Sequence, residues 1–394
     1  MSLDWATLRE LAGLTDPFGV LSVYVTLDPH ERAEAGSTPP WELRVRHQLD
    51  HVRERLKQDG PREQWKAFTQ RLDELGPELA RLLDPASSGQ GRALFAGVGE
   101  RTLRTVSLQV PLADRVVLEP RAHLQPLVAA WSTASPAGAV SVSAGELRVI
   151  DLRFGLAEVV DTIRYEGSGE QRELKGPAAA NPAMHQHGAP QHDLYERREE
   201  DKLLRFLRGT GPQLAEIVAG RQWGELVLTG EAQLVQAVRD GLPPNLPAAV
   251  VTLEHPVNSL TPAKLAGTVG PALGQARQRR HRELAERARS AALSASAGAF
   301  GLGETLGALQ EGRVAHLLLG ADRQWRGSRT PDGFLTPDGE VPPGLAATQL
   351  SPEPHLAERM LELAFRDGAE VTILDPDALA PLVDADGIGA ILRW

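Results

Sequence analysis

Apolar positions along the chain alternate between a spacing of two and a spacing of three to four residues, and the switches divide it into elements. Leu8, Leu11 and Leu14 mark a short helix over 3–14, closed by Asp16-Pro17. The β-branched run from Gly19 to Leu27 predicts a strand stopped by Asp28-Pro29. After a loop from Glu31 to Pro40, the spacing of Leu43, Val45, Leu49, Val52 and Leu56 places an arginine-dense helix over 41–57. Trp65, Phe68, Leu72, Leu75 and Leu79 give a second helical stretch over 62–83, which Gly76-Pro77 kinks or divides. Three short strands near 92–97, 103–109 and 115–118 complete an α/β domain over 1–120.

The next domain, 121–272, opens with strands at 138–143, 147–154 and 156–163, the first two joined by a turn at Ala144-Gly145-Glu146. From 167 to 191 the periodicity vanishes, and an excursion of that length inside a compact domain is normally functional or disordered. Helices at 192–208, 214–219 and 231–240 then alternate with strands at 225–229 and 248–253, which predicts a mostly parallel sheet covered by helices. One long helical stretch over 261–297 leads into a last domain, 273–394. There a helix start at Gly298–Gly303 precedes helix 305–309, strand 314–319 and a Gly, Pro and Asp loop from Arg326 to Gly344. Helix 356–365, strand 369–374, a short helix over 377–382 and strand 388–394 follow. The expected fold is α/β throughout, in three consecutive domains.

Composition narrows the function. With 42% hydrophobic and 24% charged residues the chain is an ordinary globular protein, and its formal charge is -10. That charge is uneven: 15 basic against 18 acidic residues over 1–120, 20 against 19 over 121–300, and 7 against 15 over 301–394. A segment as acidic as the last suits a protein partner better than a phosphate backbone, so any nucleic-acid contact is expected from the middle and first parts. The absence of cysteine excludes disulfides, thiolate catalysis and Cys-ligated metal sites. The start Met1-Ser2-Leu3-Asp4-Trp5 lacks a signal-peptide pattern and no stretch is apolar enough to span a bilayer, so a cytoplasmic protein without membrane contact is expected.

Candidate chemistry gathers around His185-Gln186-His187-Gly188-Ala189-Pro190-Gln191-His192, a run whose side chains have little to contribute to a core. His185, His187 and His192 could share a metal with Asp193 or Glu196 in a hydrolase, although an Ala-Pro step and a change to helix intervene. Gln191 carries an amide that donates and accepts without ionising, preceded by a glycine that permits close backbone approach. On the helix that follows, Arg197 and Arg198 lead into Lys202 and Arg205. Arg198, Lys202 and Arg205 share one face at i, i+4 and i+7. Arg277, Arg279, Arg280 and Arg282 belong to the densest basic cluster in the chain. No GxGxxG, GxxxxGK[ST] or GxSxG signature occurs, and no cofactor is expected.

Order and motif together resemble the archaeal and eukaryotic class-one peptide release factors and their rescue relative Pelota, most closely the bacterial branch with the Balon-type hibernation factors. The resemblance rests on the closing Asp386-Gly387-Ile388-Gly389-Ala390-Ile391-Leu392-Arg393-Trp394, on Val314–Leu319 after Thr305–Gly312, and on Leu21-Ser22-Val23-Tyr24-Val25 with Asp28. It implies a decoding-centre domain over 1–120, a middle domain whose 167–191 loop is held toward ribosomal RNA, and a domain over 273–394 that binds a translational GTPase. Gly188 and Gln191 are the nearest counterparts of that family's Gly-Gly-Gln, with Ala189-Pro190 between them, and no Asn-Ile-Lys-Ser run is present. The implied role is therefore occupation of the A site of inactive ribosomes, without codon reading or catalysis. His185, His187, Gly188, Ala189, Pro190, Gln191 and His192 would form the tip on rRNA. Arg197, Arg198, Lys202, Arg205, Arg277, Arg279, Arg280 and Arg282 would meet phosphates. Elongation factor Tu is the implied partner of the last domain, and the free protein is expected to be a monomer. Peptidyl-tRNA hydrolysis through Gln191 is the catalytic alternative.

Overall fold

The computed structural model describes residues 3–28, 31, 38–165, 188–254, 260–294 and 296–394, with backbone alone at 188–196. It is α/β and divides into two compact units, Met1–Ala134 with Gln278–Trp394, and Ser135–Arg277. Helix α1 (Trp5–Ala12) starts at Asp4, whose carboxylate accepts the Thr7 N–H at 2.7 Å. Strand β1 (Thr15–Thr26) is central to an antiparallel sheet of order β3-β2-β1-β4, with β2 Gly91–Gly97, β3 Leu103–Leu108 and β4 Arg115–Arg121. Helices α2 (Pro40–Asp59), α3 (Arg62–Glu74) and α4 (Gly76–Leu83) contribute Trp41, Val45, Leu49, Phe68 and Leu82 to a core with Leu21, Val23 and Val25. The break between α3 and α4 falls at Gly76-Pro77, where proline's missing N–H is harmless at a helix start. On the opposite face of β1, Ser22 Oγ accepts the His123 N–H at 3.1 Å and the Tyr24 hydroxyl donates to the His123 carbonyl. Burial on both faces explains why β1 reads as a continuous apolar run rather than as an alternation.

Helix α5 (Gln125–Ala134) was not legible in the sequence, and it belongs to the first unit although it falls within the expected middle domain. It buries Leu127 and Val128, and its Ser132 Oγ accepts the Ile373 N–H at 2.8 Å. Trp131 and Phe365 lie 5.0 and 5.7 Å from Trp5, ring to ring. Contacts of this kind put the expected first and last domains in one unit, while the middle unit runs over Ser135–Arg277 instead of 121–272.

The middle unit holds a five-stranded sheet of order β7-β6-β5-β8-β9, with β5 Ala137–Val142, β6 Glu146–Arg153, β7 Leu156–Arg164, β8 Glu225–Gly230 and β9 Ala249–Leu253. Only β5–β8 and β8–β9 pair in parallel, so the sheet is mixed where a mostly parallel one was expected. Short turns force the difference. Phe154 and Gly155 take φ of 48° and 80°, a two-residue turn with both centres left-handed, which can only reverse the strand. Helices α6 (Gly188–Gly209), α7 (Gly211–Arg221) and α8 (Ala232–Gly241) accompany a core of Leu147, Val149, Leu207, Leu214, Val218 and Val238. A second core joins Ile150 and Val227 to Leu265, Val269 and Leu273 of helix α9 (Pro262–Leu293).

The last segment forms a sheet of order β10-β16-β11-β15 from β10 Gly298–Phe300, β11 Val314–Gly320, β15 Glu370–Leu374 and β16 Ile388–Leu392, with helices α10 (Leu302–Gln310) and α11 (Leu356–Arg366). Gly298–Phe300 is thus a strand, not the expected helix start. The switch comes at Gly301, whose φ of 88° ends it before Leu302 begins the helix. Nor is 326–344 an unstructured loop. Strands β12 (Gly327–Arg329) and β13 (Leu335–Pro337) lie within it and pair with each other, and β12 also pairs with β14 (Ser351–Glu353), in the order β13-β12-β14. Strands of three residues are too short to show an alternation.

A charged cluster links distant segments of the first unit. Glu358, 2% exposed, accepts the N–H groups of Leu124 and Gln125 at 2.7 and 2.9 Å, capping α5 from 233 and 234 residues away. Beside it, Arg359 binds Glu119 at 3.0 Å and also reaches Glu362, which Arg121 approaches at 3.4 Å. Burial works against ionisation of Glu119, but His123 close by and the charges of His355 and Arg359 outweigh it and hold the carboxyl below its ordinary range. At Glu362 burial wins, helped by the charges of Glu358 and Glu119, and the carboxyl is pushed up to about 7 despite Arg359 and Arg121.

Candidate nucleic-acid interface

Helix α6 forms because the chain from Glu196 to Arg208 is almost wholly Glu, Arg, Lys and Leu, all strong helix formers. It starts at Gly188, four residues before the expected 192, so Gly188, Ala189, Pro190 and Gln191 have helical backbone rather than closing a loop. Pro190 is tolerated there because first-turn N–H groups have no intrahelical acceptor. His185 and His187 lie outside the described residues, and His192 falls in the same first part of the helix. The end of α6 is fixed by Thr210, whose hydroxyl donates to the Leu207 carbonyl at 2.7 Å.

One side of α6 is apolar: Leu207 is fully buried, Leu203, Leu204 and Phe206 pack against the same core, and Phe206 meets Tyr165 at 5.2 Å. The other side exposes Arg197, Arg198, Lys202, Arg205 and Arg208. The helix carries five basic residues and five acidic ones, Asp193, Glu196, Glu199, Glu200 and Asp201. The acids all precede Lys202, so the basic field belongs to the second half, where it also complements the helix dipole. Lys202 contacts Glu199 at 2.7 Å, while Glu200 accepts from Gln233 at 2.8 Å.

The arginines of α9 do not form one contact set. Arg277 is claimed by the middle unit: its side chain is 11% exposed, binds the fully buried Glu225 at 3.1 Å and donates to the Ser135 carbonyl at 2.6 Å. That corrects its expected place among surface phosphate contacts, because freeing it would strand a buried carboxylate. From Gln278 onward the helix belongs to the other unit, where Arg279 and Arg282 are exposed and Arg282 lies 3.5 Å from Glu286. Arg280 is half-buried, close enough for its charge to act on His316.

Among the described residues no group of three His, Cys, Asp or Glu side chains could hold a metal ion, and no helix is long and apolar enough to cross a membrane. Sequence reasoning passed over a second set of cations. His47, His51 and Arg55 fall at i, i+4 and i+8 on α2, a spacing that was readable, but their counterparts Arg323 and Arg326 lie some 270 residues further along the chain.

Residues 123–272 match the family described as "Bacterial archaeo-eukaryotic release factor family 10". The matched segment includes α6. Among solved structures, the chain is similar to the archaeal translation termination factor aRF1, at 16% identity over 100% of this chain and 99% of that one, with a TM-score of 0.24. It is also similar to Archaeoglobus fulgidus Pelota (14% identity, 77% and 79% covered, TM-score 0.33). A third similar structure is Dom34 of S. cerevisiae, a translation termination-like factor that interacts with Hbs1 (10% identity, 74% of each chain, TM-score 0.39). TM-scores of this size place no residue of this chain on a residue of theirs. No curated protein sequence matches the chain.

Proposed function

We propose that the protein is a ribosome-binding translation factor of the hibernation or rescue type, which occupies the A site of inactive ribosomes without reading a codon. The family match over 123–272 carries this reading. The exposed basic half of α6 supports it, since cations on one helical face suit an RNA backbone. Lys202 and Arg205 would contact rRNA phosphates, with Arg197 and Arg198 nearer the tip and Arg279 and Arg282 as further contacts. The acidic last segment would engage elongation factor Tu. In sedimentation with vacant ribosomes, with and without elongation factor Tu, the protein is expected in the ribosomal fraction at low salt. Its absence in both conditions would end the proposal. Lys202→Glu with Arg205→Glu should weaken binding roughly tenfold or more and flatten its salt dependence, because two phosphate contacts become repulsive.

The tip would act by contact, not by hydrolysis. Gln191 has helical backbone, and Pro190 before it fixes its own φ and restrains Ala189, where the family has a compact Gly-Gly-Gln turn. Stalled ribosome complexes treated with wild-type or Gln191→Ala protein should show the same lack of nascent-chain release. Release by the wild type alone would make Gln191 catalytic.

A further inference from the structure

The first unit contains a cleft of about 790 Å³, lined by residues of α2 and by residues 323–327, which follow β11, among others. Cleft volumes of roughly 300–1,000 Å³ are those of small-molecule sites. His47, His51 and Arg55 from one face of helix α2, Arg323 and Arg326, and Arg115 at the start of β4 all line it. Deep in the cleft His123, 1% exposed, has its Nε2 3.1 Å from Arg115 Nη1.

The arginines of the cleft differ from those of the surrounding surface. On α2 itself, Arg44 binds Glu31 and Asp114 at 3.0 and 2.7 Å, Arg46 binds Glu42, and Arg53 binds Asp50 at 2.6 Å. Among the described residues Arg55, the arginine of this helix that faces the cleft, has no carboxylate partner, and neither have Arg323 and Arg326. The acids of the cleft are largely committed elsewhere. Glu353 pairs with Arg329 at 2.8 Å, and Glu358 accepts the two N–H groups that cap α5, which leaves Asp338. Four guanidinium groups therefore line a concave space with three carboxylates, one of which, Asp338, has no ion-pair partner among the described residues, so the cleft has cationic groups to offer an anion.

The wall is also built to hold its position. The aliphatic stem of Arg323 lies over Gly320 and Gly387, where a Cβ at either would come within 2.9 Å of its Cγ. Two residues on, the buried Trp325 donates its Nε1–H to the Asp386 carbonyl at 3.2 Å. Gly387 has a φ of 74°, so the turn that seats this arginine also needs glycine for its backbone.

We propose that this cleft is a binding site for a small phosphate-bearing ligand of nucleotide size, its phosphates held by Arg55, Arg115, Arg323 and Arg326. Guanidinium groups are the side chains best matched to phosphate oxygens. A phosphate could also come from an RNA backbone. The volume, which is that of small-molecule sites, favours the small molecule, and the experiment separates the two.

MANT-labelled ATP and GTP, titrated with the full-length protein and followed by fluorescence anisotropy, should bind saturably and be displaced by inorganic pyrophosphate. The double variant Arg55→Gln with Arg323→Gln should weaken binding at least tenfold. Arg289→Gln, on the exposed side of α9, should leave it unchanged, with the thermal transitions of all three proteins in register. No saturable binding up to about 1 mM would overturn the proposal. So would equal affinity in the double variant, or displacement by a single-stranded RNA oligonucleotide and not by pyrophosphate.

Discussion

Replacing Arg359 with methionine is expected to lower the stability of the chain by about 3–5 kcal/mol, the loss seen when one partner of a buried ion pair is removed. Methionine keeps most of the stem's volume, so the loss reports charge and not a cavity. Arg359 is buried and holds Glu119 at 3.0 Å and Glu362 beside it, with Glu358 next in the same helix. Without the guanidinium, three carboxyl groups from segments about 240 residues apart would share one dry pocket with only His123, His355 and Arg121 to offset them. Urea unfolding at pH 8 measures the effect. Adding Glu119→Gln to the methionine variant should restore at least half of the loss, since one of the stranded charges is gone. A loss below about 1 kcal/mol would mean that water reaches the cluster, as at ordinary surface pairs.

The same cluster shows where sequence reading succeeds and where it stops. Strand β1, the division at Gly76-Pro77 and the helix carrying Leu356 to Phe365 were legible, because local spacing or a local breaker specifies each. Helix α5 was not. Its Gln-Pro-Leu-Val-Ala-Ala-Trp start has no capping side chain of its own, and the cap comes from Glu358. Charge counting is blind for a related reason. Of the acids over 301–394 that suggest a surface for a protein partner, Glu353, Glu358 and Glu362 are instead taken up by Arg329, Arg359, Arg121 and the end of α5, and only the others are left for such a surface. On α6 the opposite holds: spacing alone placed Arg198, Lys202 and Arg205 on an exposed face, because a helix with one apolar stripe has only one way to turn. Arg277 has the same local signature as Arg279, and only the buried Glu225, 52 residues earlier, tells them apart.

Between pH 7 and about 4.5 the gap in stability between wild type and a His316→Gln variant should shift by about 2–3 kcal/mol in the variant's favour, at 1.36 kcal/mol per unit of pKa shift. Burial, followed by the charges of His281, Arg280 and Arg287, pushes the His316 imidazole down to about 4. The folded chain therefore binds fewer protons than the unfolded chain between 6.5 and 4, and His316 removes stability as the pH falls through that window. Glu362, held near 7 against an ordinary 4.5, works the other way. Its folded form keeps a proton that the unfolded form loses, so its contribution is full below 4.5 and is lost as pH rises through 7. The two groups lie in one unit and oppose each other over nearly the same range, so the wild type should be close to flat there while His316→Gln becomes more stable toward acid. Glutamine retains a donor and an acceptor for the Thr372 hydroxyl, which now lies 2.8 Å from the imidazole Nε2, so the packing of β11 against β15 is preserved. Parallel pH profiles for the two proteins would show that the imidazole is reached by water in the folded state. A second variant, Glu362→Gln, should slope the opposite way, losing stability relative to wild type as the pH falls, because the favourable uptake of its proton is gone.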